Sequence, residues 1–163
     1  MPLSPSKNFL SPHGFRFVLQ RAPNIEFFCQ EANIPDISIE DITQPTPMQG
    51  IWRPGTKTVF SPIAITFTVD EEMENYKEIF HWITGLAPTK NSSVYDTLNK
   101  TEEGIVSDAT LLILTSNHNE GLSVDFENIF PTTLSELQFR STDADITYTT
   151  ATATFRYTRF SFI

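Results

Sequence analysis

Three histidines, one cysteine and one run of carboxylates are the side chains from which a reactive site would have to be built in this 163-residue chain. Hydrolytic or acyl-transfer chemistry requires a nucleophile within reach of a positioned base. His13, His81 and His118 fall in an amino-terminal arm, a helical segment and a turn, with no spacing that pairs them with such a nucleophile. Cys29, in Phe27-Phe28-Cys29-Gln30, reads as a small residue of a half-buried strand rather than a reactive thiol. Asp70, Glu71, Glu72 and Glu74 resemble a metal-ligand cluster, but carboxylates at a helix start are accounted for by capping and by the helix dipole. Tyr76, Phe80 and Trp82 read as the aromatic face of a helix packed on a sheet, not as a stacking platform. Asn91-Ser92-Ser93 and Asn99-Lys100-Thr101 match glycosylation acceptors, yet no secretory leader precedes them. The chain is therefore expected to carry no catalytic residue, metal or cofactor, and not to be an enzyme.

Recognition chemistry is better represented. Gln44 to Lys57 holds three prolines, two glycines and the group Met48, Ile51, Trp52 and Arg53. Loops longer than about 12 residues tend to be functional or disordered, and this one is too apolar for disorder. Trp and Arg are the residues that anchor interfaces, so these four are assigned to contact with another molecule. Residues 1–13, rich in Ser and Pro with Phe9 and Leu10 as apolar points, read as an arm that orders only against a partner.

The elements that position these groups are mostly strands. Phe15, Phe17 and Leu19 alternate with polar neighbours, Arg21-Ala22-Pro23-Asn24 breaks the run, and Ile25 to Ala32 resumes it, which predicts a first hairpin. Ile37 and Ile39 restart an alternation after Ile34-Pro35-Asp36. Ile63, Ile65, Phe67 and Val69 form a strong half-buried strand, after which the period changes to that of a helix over about 71–84. Asp70 is its expected cap, Met73, Tyr76, Phe80 and Ile83 its apolar stripe, and Gly85 its stop. Ala109 to Leu114 is apolar on both faces, and with the turn Asn117 to Gly121 and Leu122, Val124 and Phe126 it predicts a second hairpin ending at Ile129-Phe130-Pro131. Ile146 to Phe162 reads as one long Thr-rich strand, with a bulge near Thr149 or Thr150 reconciling its two registers.

Hydrophobic content of 39% with 14 Phe and 11 Pro favours a mainly β fold. The length fits an arm (1–13) and one domain (14–163). A net charge of −9 repels phosphate, so a conventional nucleic-acid binder is excluded. One cysteine rules out an internal disulfide. No apolar run approaches the about 20 residues of a membrane span, and the chain is expected to be soluble and unexported.

Three segments, taken in order, resemble the tail tube family of contractile-tailed (T-even-type) bacteriophages, including its baseplate tube-initiator relatives. They are Phe27 to Pro35; the strand Ile65 to Asp70 leading into Asn75 to Trp82; and Ile129-Phe130-Pro131 with Leu134 to Leu137 and a closing strand ending Phe155-Arg156-Tyr157. The proline-rich loop is longer than is usual in that family, and the closing strand is dominated by Thr and Ala. The resemblance implies a mainly β, tail-tube-type barrel or sandwich of antiparallel strands with one flanking helix and long loops.

It also implies a structural virion protein, assembled in the host cytoplasm, whose probably hexameric rings stack into a conduit for DNA. Its partners would be further copies of itself, tail sheath, and baseplate or tail-terminator proteins. DNA would pass without specific binding, and no membrane would be involved. Thr66, Thr68, Thr150, Thr152 and Thr154 are the candidate lumen face, although alternation alone does not choose lumen from outer surface. A baseplate initiator ring and a carbohydrate-binding β-sandwich are the alternative functions.

Overall fold

The strand alternation is realised in a computed structural model that describes residues 10, 13–88, 95–96, 100, 104–115, 119–139 and 148–163. In chain order these form β1 (Phe15–Leu19), α1 (Asn24–Phe28), β2 (Cys29–Ala32), β3 (Ile37–Gln44), β4 (Ile51–Phe60), β5 (Ile63–Thr68), α2 (Glu74–Leu86), β6 (Ser107–Leu114), β7 (Glu120–Leu134), β8 (Thr150–Arg156) and β9 (Arg159–Phe162). The fold is mainly β and every strand pair is antiparallel. Seven strands follow the path β1-β6-β7-β8-β5-β2, with β9 added on β7, while β3 and β4 form a separate two-stranded sheet. The sheet folds on itself as a sandwich rather than closing as a barrel, because β1 and β2 do not pair.

The fold is possible because β7 serves two sheet layers. Its first half pairs with β6 and β9 and its second half with β8. Between them Asn128 adopts φ 55, a left-handed conformation that Asn tolerates better than most residues. The pairing with β6 shifts register there, and the Asn128 N–H is satisfied by the Asp108 carboxylate at 3.1 Å. A bulge moves the inward phase by one residue. Accordingly Val124 and Phe126 are buried before it, and Ile129 and Pro131 after it. The strand thus continues past Ile129-Phe130-Pro131, where the pattern predicted its end.

The core gathers Phe17, Leu19, Ile63, Ile65, Phe67, Leu111, Val124, Phe126, Ile129 and Phe155, with Ile79 and Trp82 of α2 and Ile25 of α1. Burying Ile79 and Trp82 holds α2 on the sheet at roughly 1.5–3 kcal/mol for each large side chain. The Trp82 indole N–H donates to the Ile105 carbonyl at 3.0 Å, and its ring lies 6.3 Å from Phe155.

Several expected details are corrected. Residues 15–32 are not a hairpin: β1 pairs with β6, β2 pairs with β5, and α1 intervenes. Ala22 and Ile25, three residues apart, are both buried there, a helical spacing that the β-prone Ile-Glu-Phe-Phe disguises. Helix α2 begins at Glu74 because Met73 is left-handed (φ 57). Asp70 still caps the turn, its carboxylate accepting the Glu74 N–H at 2.8 Å. The later start rotates the buried face to Asn75, Ile79, Trp82 and Gly85, leaving Phe80 exposed. Gly85 is therefore a packed helical residue and not the stop. The segment Gln44 to Lys57 is no loop but the end of β3, a short turn and most of β4. The closing segment is two strands, broken at Tyr157-Thr158. β8 pairs with β5 from Phe155 to Thr150 without a register shift, and Ile146 lies outside the described residues.

Candidate interaction surfaces

The β3–β4 hairpin carries its large apolar residues outward. Opposed residues of an antiparallel pair project to the same side. Ile42, Ile51 and Arg53 therefore share one face, while Trp52 and Thr43 share the other with Ile37 and Ile39. Trp52 is 70% exposed and Met48, at the turn, 97% exposed. Ile37, Ile39, Ile42, Ile51 and Val59 are exposed as well. Pro54 and Gly55 sit where the register shifts opposite Glu40. A Cβ at position 55 would overlap the Glu40 carbonyl, so glycine is required for the close cross-strand approach. The structure thus brings together Ile51, Trp52 and Arg53 on one strand with Met48 at the preceding turn.

The base of the hairpin is fixed. Phe60 packs 5.5 Å from Phe160 and 6.1 Å from Tyr157, whose rings in turn meet Phe126. The Tyr157 hydroxyl donates to the Ser61 carbonyl at 2.7 Å, and the Ser61 N–H donates to the Asp36 carbonyl at 3.1 Å. Burial, with the nearby Asp36 carboxylate, pushes the Tyr157 hydroxyl above its ordinary pKa of 10.0. Sequence reasoning missed this aromatic base. Its signal was the density of rings between Phe155 and Phe162, which were read as successive residues of one strand.

The five threonines fall on one surface. Thr66 pairs with Thr152 and Thr68 with Thr150, and Thr154 lies opposite Ala64, all on the side of β5 and β8 facing away from the core. The Thr66 and Thr152 hydroxyls are 3.2 Å apart, and the Gln30 amide donates to the Thr68 hydroxyl at 2.6 Å. The face is tied laterally: the Thr152 N–H donates to the Ser135 hydroxyl at 2.9 Å.

Of the remaining candidates, Leu10 is 70% exposed and Phe9 lies outside the described residues. His13 and His81 are exposed and distant from each other in sequence, and His118 is outside the described residues, as are Asn91-Ser92-Ser93, Asn99 and Thr101. Cys29 is half-buried against the core, and burial raises its thiol pKa to about 11. Glu78 accepts a hydrogen bond from the Asn24 amide at 2.6 Å. Burial lifts its carboxyl above the ordinary 4.5, opposed by that hydrogen bond and aided by Glu74 and Asp70. Among the described residues no group of three His, Cys, Asp or Glu side chains is placed to hold a metal, and no helix is long and apolar enough to cross a membrane.

Comparison with known proteins places these surfaces in context. A family model described as phage tail tube protein matches residues 7–163. The tail tube terminator protein of Enterobacteria phage T4 is 29% identical over 135 residues, covering 80% of this chain and 74% of that protein. A tube-type chain in the sheath–tube complex of an extracellular contractile injection system (PVC) superposes with a TM-score of 0.63 at 15% identity, covering 97% of this chain and 93% of that one. A chain of the anti-feeding prophage baseplate superposes with a TM-score of 0.62 at 11% identity, over 97% of both chains. The shared fold does not distinguish a sheath–tube complex from a baseplate.

Proposed function

The chain belongs to the phage tail tube protein family, structural components of the virion tail, and from that premise we propose that it acts by assembling with further copies of itself into rings. The observation that carries the proposal is the β3–β4 hairpin. An isolated two-stranded sheet is marginal in water, and this one exposes apolar side chains on both faces while its base is locked to the core. Such an element is accounted for when a neighbouring subunit covers it. Met48, Ile51, Trp52 and Arg53 are then the anchoring contacts, with Trp52 at their centre. The open margins of β1, β2 and β9 supply further pairing sites that a ring would close.

Six-membered rings stacked into a conduit are the arrangement proposed, with tail sheath and baseplate proteins as outer partners. The hydroxyl face of Thr66, Thr68, Thr150, Thr152 and Thr154 is the proposed bore lining, which lets DNA slide without specific binding. Residues 14–163 act as one domain in this proposal, preceded by the arm. The family match carries this reading above a carbohydrate-binding module, and nothing in it requires catalysis.

A second reading is favoured by the 29% identity to the phage T4 tail tube terminator: the ring caps the tube instead of repeating along it. Electron microscopy of the purified chain tests both. Long stacked tubes support the repeating subunit, single rings that do not stack support the terminator, and a monodisperse monomer at high concentration overturns ring formation altogether.

A further inference from the structure

A groove of about 670 Å³ lies beside the open margin of β2, lined by Phe28, Cys29, Gln30, Val69, Asp70 and Tyr148 among others. Its apolar wall is unusually accessible: Tyr148 is 79% exposed and Phe28 38%. β2 pairs with β5 on one side and with no strand on the other, so backbone N–H and C=O groups of Cys29–Ala32 face this groove's edge without a ladder partner. Asp70 and Glu71 give the lining a negative charge. An occupant must therefore be an extended segment with free N–H groups, apolar side chains and a positive charge.

The chain itself contains such a segment. Ser6-Lys7-Asn8-Phe9-Leu10-Ser11 is free of proline between Pro5 and Pro12, carries two large apolar residues and one cation, and has no acid. Where the arm approaches β1, Leu10 and His13 are exposed rather than laid on their own body. We propose that the β2 groove receives the amino-terminal arm of a second copy, which adds as a strand to the β2 margin, sets Phe9 and Leu10 against Phe28, Val69 and Tyr148, and places Lys7 by Asp70 and Glu71. The inference rests on the self-assembly proposed above and assigns the arm its partner within it.

The test uses the full chain with Leu10→p-benzoylphenylalanine, assembled from equal amounts of ¹⁴N- and ¹⁵N-labelled protein, irradiated and mapped by mass spectrometry. Mixed-isotope products joining position 10 to peptides containing residues 28–30, 69–71 or 148 are expected. Same-isotope products alone would show the arm folding onto its own subunit and overturn the assignment to a second copy. Rings with crosslinks elsewhere overturn the docking site while leaving ring formation standing, whereas monomers without crosslinks overturn both. Lys7→Glu in the same background is expected to lower the mixed-isotope yield by about threefold to fivefold, as reversal of an exposed ion pair does. An unchanged yield overturns the pairing of Lys7 with the carboxylates.

Discussion

Replacing Trp52 by alanine separates assembly from folding, because the side chain contributes to one and hardly to the other. Trp52 is 70% exposed in the subunit. With about 250 Å² for a large aromatic side chain, that exposure leaves about 170 Å² for a neighbour to cover, or about 4 kcal/mol at about 25 cal/mol per Å². Fixing the side chain in one rotamer offsets about 1 kcal/mol of this, leaving about 3 kcal/mol for each contact. That figure corresponds to about a 100-fold rise in the concentration at which copies associate. The isolated subunit should lose no more than about 0.5 kcal/mol of stability, as for a surface position. Sedimentation velocity over a concentration series gives the first quantity and denaturant unfolding under dissociating conditions the second. Trp52→Phe should recover most of the association. Assembly of Trp52→Ala at the wild-type concentration would refute the assignment, and so would a destabilised subunit.

Other consequences concern the elements that hold the hairpin and helices in place. Gly55→Val forces a Cβ into the Glu40 carbonyl, so assembly should be lost while the core melts normally; amide exchange should quicken across β3 and β4 alone. Tyr157→Phe removes the hydrogen bond to Ser61 and should cost about 1 kcal/mol, with faster exchange localised to the hairpin base. Asn75→Ala removes the bonds to the Thr68 carbonyl and the Tyr76 N–H at a buried site and should destabilise the protein by about 2–3 kcal/mol in denaturant unfolding. Glu78 has a folded pKa above its unfolded value, so the folded state binds the proton more tightly and stability falls as pH rises through that window. Glu78→Gln should flatten that slope and raise the melting temperature at pH 7 relative to the parent, with little difference below pH 4; a parallel shift at both pH values would contradict the role of ionisation.

Where periodicity is local, the sequence was a sufficient guide. Ile63, Ile65 and Phe67 alternate in sequence and are buried in the structure, and turn chemistry at Asn117 to Gly121 correctly joined β6 to β7. Pairing between distant segments left no local trace: Phe17 faces Leu111 across more than half the chain, so β1 looked as though it should pair with its nearest neighbour. The hairpin of β3 and β4 was read as a loop because Pro54 and Gly55 ordinarily end strands, whereas here they occupy a bulge. Its exposed residues were nevertheless legible, since no hydrophobic periodicity offered Met48, Ile51 and Trp52 a core to enter. In α2 the left-handed Met73 delayed the helix and turned a different stripe inward, a backbone choice that side-chain pattern alone does not carry. The threonine face was visible as alternation, but its continuity across β5 and β8 appeared only with the register.

Ring formation itself is the claim on which the rest depends, and direct imaging of the purified full-length chain addresses it most simply. Class averages from cryo-electron microscopy at micromolar to millimolar protein are predicted to show closed annuli of identical subunits, with the β3–β4 hairpin of each resting on the next. Particles of a single subunit throughout that range, with the hairpin uncovered, would contradict the account.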